Sequence, residues 1–247
     1  MQQGEFENSM YAPDPNDAEQ VARWETLCGN PSEQPLPVRP RTEAEQRQLA
    51  DKLEWFYQAR YGIMAHFVPN MARFKDPEAR IKWTSEQWQR WVDEVDVEAV
   101  AQQAEEIGAG YFILSLFQQG NYYCSPNPVY EKLWGFQPFE YSSTRDLPAD
   151  LAQALHKRNI PLMFYIQGAP SASEGDALKA SEAIGWEKTE SRPPWRATRE
   201  ACDKWIEAVR FWAEKYKDIC AGYWIDGLNN YTYGHAVRFV ETLRKAN

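Results

Sequence analysis

Four apolar runs set the limits on what this chain can fold into: Tyr61–Phe67, Tyr111–Phe117, Pro161–Gln167 and Gly222–Ile225. Each is short enough to be a strand, and the second, Tyr111–Phe117, is apolar enough to be buried on both faces. Between them lie segments of helical length with capping signals. Thr42 with Glu45 three residues on opens a helix over Thr42–Tyr57, and Leu49, Leu53 and Phe56 share one face. Asp96 opens a second, with Val97, Val100, Ala101, Ala104 and Ile107 turned inward and Gly108 as its stop. Asp146–Lys157, Thr198–Tyr216 and Gly234–Arg244 read as helices too, and a Trp-rich loop and helix carry Trp83, Trp88 and Trp91.

Strands alternating with helices imply βαβ units and a parallel sheet. The expected class is therefore α/β, of the (β/α)8 barrel type. Only about four units are evident, however, whereas a complete barrel takes about 250 residues. Long loops consume the difference, at Gln118–Thr144 and at the Ser-, Gly- and Glu-rich lid candidate Ala169–Pro194. The expectation is a half or truncated barrel over 42–247, preceded by an extended Pro-rich arm over 1–41 with one short helix at Asp17–Leu27. A half barrel leaves sheet edges open, which makes a homo-oligomer an expected partner state.

In parallel barrels the chemistry sits at the C-terminal ends of the strands. The fourth strand delivers Asp226 there, and Gly227 turns the chain. An Asp-Gly pair is also an ordinary turn signal, so the alternative is a capping Asp before Leu228. The first strand carries His66 to its end; that side chain suits a sugar hydroxyl or a developing charge, and equally a satisfied structural histidine. His156 and His235 read as structural, at a helix end and a helix start. By strand alternation Trp224 shares the face of Asp226, and Tyr223 points the other way. The loop aromatics Tyr122, Trp134 and Trp186 are candidate stacking platforms, or pins that hold long loops to the body.

The net charge of −9 argues against a nucleic-acid or anionic-membrane partner. No run approaches the roughly eighteen apolar residues of a membrane span. Met1–Pro13 is polar and acidic, so no signal peptide is visible; an extracytoplasmic location is expected only if a leader has been trimmed, and compartment is otherwise open. Cys28, Cys124, Cys202 and Cys220 show no CxxC or metal-like spacing, and buried free thiols are expected for Cys202 and Cys220. Neither a metal nor a cofactor is expected, since no phosphate loop, GxGxxG or HExxH occurs. Eleven Trp and thirteen Tyr are many for this length. Flat aromatic faces stack on sugars, although they also fill cores.

The order of these motifs resembles the α-L-fucosidase family of glycosidases (glycoside hydrolase family 29). Trp55-Phe56-Tyr57-Gln58-Ala59-Arg60-Tyr61-Gly62-Ile63-Met64-Ala65-His66-Phe67 is similar to that family's opening strand, which ends in a sugar-binding His-Trp-Gly. Val95–Leu114, Tyr122-Tyr123-Cys124 and Thr144-Arg145-Asp146-Leu147 resemble its next segments. Tyr223-Trp224-Ile225-Asp226-Gly227 resembles its Trp-Phe-Asp-Gly, whose Asp is the nucleophile. The resemblance covers roughly residues 50–245. It implies hydrolysis of a terminal deoxy or neutral sugar from a glycan through Asp226, with His66, Gln118, Gln119, Tyr122 and Trp224 as substrate contacts.

Departures accompany it. Phe117-Gln118-Gln119-Gly120-Asn121-Tyr122 stands where the family has Lys-His-His-Asp-Gly-Phe, and His66-Phe67-Val68 where it has His-Trp-Gly. The glutamines can hydrogen-bond hydroxyls but cannot shuttle protons near neutral pH. The family's acid/base carboxylate falls beyond the fourth strand. Glu140 is the candidate partner acid in the long loop, with Glu86 and Glu174 in others, each also readable as a solvated surface acid. The alternatives to a hydrolase are a catalytically inactive carbohydrate-binding relative and a truncated fragment without activity.

Overall fold

The computed structural model describes residues 42–68, 84–117, 122–168, 186–188, 195–197, 199–227 and 233–246. The expected arm over 1–41, Cys28, Gln118, Gln119 and Glu174 lie outside them. Among the described residues the elements in chain order are α1 (Glu43–Gln58), β1 (Ile63–Ala65), α2 (Ser85–Asp93), α3 (Val97–Glu106), β2 (Phe112–Ser115), α4 (Pro128–Trp134), α5 (Leu147–His156), β3 (Leu162–Gln167), β4 (Trp186–Lys188), β5 (Trp195–Ala197), α6 (Arg199–Lys215), β6 (Cys220–Asp226) and α7 (Tyr233–Ala246).

All four expected strands form, and they pair in the order β1-β2-β3-β6, every pair parallel. The described residues make an open sheet with β1 and β6 at its edges, half of the strand complement of a barrel.

The helices start where short polar side chains cap them. Thr42 and Glu45 close a reciprocal capping box on α1, and Thr84 with Gln87 does the same for α2. Asp96 accepts from the N–H of Ala99 and Asp146 from that of Ala149. Gly108, at φ +71, takes the left-handed turn after α3.

Two elements depart from the sequence reading. The stretch expected as one long loop contains α4, capped by Asn127, begun by Pro128 and ended by Gly135 in the left-handed region. The lid candidate contains β4, which pairs antiparallel with β5 in a separate two-stranded sheet. The apolar stripe on α1 also differs: Trp55 and Phe56 make the packing, and Leu53 is exposed.

The two sheet faces differ. Phe112, Leu114, Leu162, Phe164 and Ile166 face the helices and join the main core, where Tyr223 and Ile225 of β6 also pack. That core is aromatic, with Trp88, Trp205, Trp212, Tyr123, Tyr130, Tyr216, Phe117 and Phe164 among its fully buried members. Cys124, Cys202 and Cys220 lie in it as free thiols, and burial pushes the Cys124 thiol up to about 12.

The opposite, inner face carries Ile113, Met163 and Tyr165, covered by Trp55, Phe56 and Tyr111 where α1 runs into β1. At the other end this face is open, and Trp224 is 53% exposed; Met64, on the β1 edge in register with Ile113, is 37% exposed.

Glu131 of α4 is the buried acid of the helix side. Its carboxylate accepts Ser142 Oγ–H and the Phe139 N–H, both at 2.5 Å, and so fastens the loop after α4. Desolvation nevertheless holds its carboxyl above the ordinary 4.5. The folded protein then binds this proton more tightly than the unfolded chain, so the contribution to stability is present below 4.5 and is lost as pH rises through the folded value. Denaturant titrations from about pH 4 to about pH 6 should show wild type losing stability relative to Glu131→Gln as pH rises. Parallel curves for the two proteins would refute this.

Candidate active site

The C-terminal ends of three strands bring one polar cluster together. Parallel register sets Gln167 of β3 opposite Asp226 of β6, and Tyr165 opposite Trp224. Alternation places Tyr165, Trp224 and Asp226 on the inner face, whereas Tyr223 packs on the helix side with its ring 6.5 Å from that of Phe164. The expected division between Trp224 and Tyr223 is the one observed.

Tyr165 Oη–H donates to Asp226 Oδ2 at 2.6 Å, a charge-assisted bond that fixes one carboxylate oxygen and leaves the other for a ligand. The backbone at this point is pinned as well, because the Gly168 N–H donates to the Asp226 carbonyl at 2.7 Å. Gly227 follows at φ +72, so the chain leaves the strand through a conformation that a side chain would strain. Among the described residues the Asp226 side chain takes its hydrogen bond from a neighbouring strand.

His66, one residue past β1, meets the edge of the Tyr165 ring, with centroids 5.0 Å apart and planes at 75°. Its neighbourhood is held by Ser115 at the end of β2, whose Oγ accepts the Phe67 N–H at 2.7 Å. His66, Tyr165 and Asp226 thus form a chain of contacts across the mouth of the sheet, with Trp224 exposed beside it. An exposed indole flanking a carboxylate can stack a flat ring against that carboxylate.

The other sequence candidates lie elsewhere. Tyr122 is 6% exposed, and its ring packs on Trp88 and Tyr141 in the main core. Trp134 is buried beside Tyr130 and Trp205. Both act as pins. Glu140 Oε2 accepts the Gln137 N–H at 2.8 Å in its own turn, and its carbonyl accepts Ser85 Oγ–H. Glu86 is exposed in the first turn of α2. Arg145 of the Thr-Arg-Asp segment has a scaffolding place: its guanidinium caps the carbonyls of Val92, Asp93 and Val95 and pairs with Asp150 at 2.7 Å.

Tyr165 and Gln167 were visible in the sequence only as parts of a strand. The signal that could have found them is positional, since they stand at the end of the strand adjacent to that of Asp226 and share its parity. Among the described residues no group of three or more His, Cys, Asp or Glu could hold a metal ion, and no helix is long and apolar enough to cross a membrane.

No family profile matches the chain, and no curated protein sequence does. Solved structures do. The unliganded α-L-fucosidase AlfC from Lactobacillus casei superposes with a TM-score of 0.55 at 15% identity, over 80% of this chain and 67% of that one. A point variant of AlfC in complex with Fucα(1,6)GlcNAc gives 0.53 at 14% identity with the same coverage. A bacterial fucosidase with a monovalent iminocyclitol inhibitor gives 0.50 at 14%, over 78% of this chain and 46% of that one. The chain thus shares their fold over most of its own length and spans at most about two thirds of theirs.

Proposed function

We propose that this protein is a glycoside hydrolase that removes a terminal deoxy or neutral sugar, fucose-like in shape, from a glycan. The observation that carries the reading is the Asp226 carboxylate at a strand end, solvent-reachable, with one oxygen fixed by Tyr165 and an indole beside it. In a retaining mechanism Asp226 attacks the anomeric carbon, and a second carboxyl group about 5–5.5 Å away protonates the leaving oxygen. In an inverting one the separation is about 6.5–9.5 Å and Asp226 activates water. Trp224 stacks the sugar, and His66 and the glutamines Gln118 and Gln119 receive its hydroxyls. Glu140 is the candidate acid, which requires it to leave its present turn contact.

Fucosidases that share the fold make α-L-fucosides the first substrates to try. Aryl α-L-fucoside, α-L-rhamnoside, α-galactoside and β-galactoside should be assayed together for hydrolysis and by saturation-transfer NMR. Turnover of one of them supports the reading. Sugar contact without turnover supports the second reading, a carbohydrate-binding relative, which two glutamines in place of proton-carrying side chains favour. We also propose that a homo-oligomer covers the open edges of β1 and β6; light scattering showing a monomer at micromolar concentration would exclude it.

Tyr165→Phe removes the hydroxyl that donates to Asp226 and keeps the ring that touches His66. The expected result is a fall in kcat/KM of about 10- to 100-fold at near-constant melting temperature, the loss of one charge-assisted hydrogen bond. Unchanged kinetics would remove Tyr165 from the site.

A further inference from the structure

At the end of β3 one side-chain oxygen has nothing to hold it. Gln167 Oε1 is buried and has no hydrogen-bond partner among the described residues. Buried acceptors are normally paired, so an orphan of this kind at a site calls for a donor. The residue does not owe its position to that oxygen. Its main-chain carbonyl accepts the Trp205 indole N–H at 3.0 Å, and the neighbouring Gly168 N–H is tied to the Asp226 carbonyl at 2.7 Å. The backbone is thus locked from both sides while the amide stays uncommitted.

Parity settles its face. Met163 and Tyr165 belong to the inner face and Ile166 to the helix side, so Gln167 projects inward, in register with Asp226. Adjacent strands lie about 4.8 Å apart. A sugar whose anomeric carbon meets the Asp226 carboxylate therefore has one neighbour of that carbon within reach of Gln167. Within the pyranose ring there are two such neighbours, and the exocyclic glycosidic oxygen, like the ring oxygen, carries no hydrogen. The ring oxygen carries no hydrogen and cannot satisfy an acceptor, whereas the adjacent carbon bears a hydroxyl that can.

We propose that Gln167 Oε1 accepts the hydrogen of the hydroxyl next to the anomeric carbon, the 2-hydroxyl, and so makes this site select 2-hydroxy over 2-deoxy sugars. The inference rests on the sugar-binding reading given above, and on Gln167 as a specificity-determining residue within it.

The test compares an aryl glycoside with its 2-deoxy counterpart on wild type, Gln167→Leu and Gln167→Glu. The ratio of the two kcat/KM values is compared between proteins, so the greater intrinsic reactivity of the 2-deoxy compound cancels. Gln167→Leu should lower the ratio about 10- to 100-fold, the effect of one buried hydrogen bond. Gln167→Glu, which keeps the size and the acceptor, should retain it. Gln167→Met, of similar length, repeats the measurement should the leucine variant fail to fold. The same ratio in wild type and the apolar variants overturns the inference and leaves the glycosidase reading standing. For a protein that binds without turnover, saturation-transfer NMR with the free sugar and its 2-deoxy form reads the same preference, and an equal signal in wild type overturns it. No sugar contact by wild type overturns both this inference and the reading beneath it.

Discussion

Replacing Asp226 with alanine is expected to lower hydrolysis of the best aryl glycoside by roughly 10⁴-fold or more, the scale on which removal of a nucleophile acts. The fold should survive, because the side chain is exposed and holds the structure by one bond from Tyr165. The strand end keeps its main-chain bond between Gly168 N–H and the Asp226 carbonyl, which the substitution leaves intact. A melting temperature within a few degrees of wild type should therefore accompany the loss of rate. The reading makes a second demand. If Asp226 forms a covalent glycosyl intermediate, azide diffusing into the space left by the alanine variant should restore turnover of an activated substrate as the glycosyl azide. If Asp226 only activates water, the wild-type product has the inverted anomeric configuration, whereas a covalent intermediate gives the retained one. A wild-type rate equal to that of Asp226→Ala would end the nucleophile assignment.

Trp205→Ala should produce the largest change in stability. Trp205 is 0% exposed, and its ring packs against Phe117, Tyr123, Trp134 and Trp212. Emptying such a site costs about 3–5 kcal/mol through lost transfer energy and the cavity left behind. For a domain of this size the melting temperature should fall by about 6–20 °C. The indole has a second function, since its N–H holds the Gln167 carbonyl at 3.0 Å and so sets the end of β3 beside Asp226. Trp205→Phe separates the two roles. It keeps most of the packing and removes the donor, so it should cost about 1–2 kcal/mol and yet loosen the site. Thermal melts of both variants, with proteolysis near residue 168, decide the matter. A phenylalanine variant as unstable as the alanine variant would show that the hydrogen bond, not the packing, carries Trp205's contribution.

Legibility in the sequence followed the range of the interactions. The caps at Thr42, Asp96 and Asp146 act within one turn, and the helices they begin were readable to within a residue or two. The strands β2 and β3 are readable because a parallel strand covered on both sides must be apolar throughout, and the edge strands β1 and β6 because each is a short apolar run between helices. That same property hid the inner face. Phe112–Ser115 is buried at every position, so hydrophobicity does not say which side chains lie on the inner face of the sheet and which under the helices. The helix α4 was lost in an expected loop because it has only seven residues, too few for a periodicity to emerge, although Asn127-Pro128 and Gly135 mark both its ends. The β4–β5 pair was lost because Trp-Glu-Lys and Trp-Arg-Ala carry no alternation to read.

By itself the sequence determined a parallel α/β arrangement, the strand that ends in Asp226, and Trp224 on the same face. Tertiary structure alone decided what meets that carboxylate. Tyr165 and Asp226 are 61 residues apart, and their contact at 2.6 Å depends on the register between β3 and β6. His66 reaches the cluster through β1 and β2, while Tyr122, also a ring-bearing candidate from the sequence, is drawn into the core by Trp88 and Tyr141. The physical reason is that propensity, capping and burial pattern are local quantities. Register and convergence are set by how whole helices seat on the sheet, a non-local balance of packing that no single stretch of residues encodes.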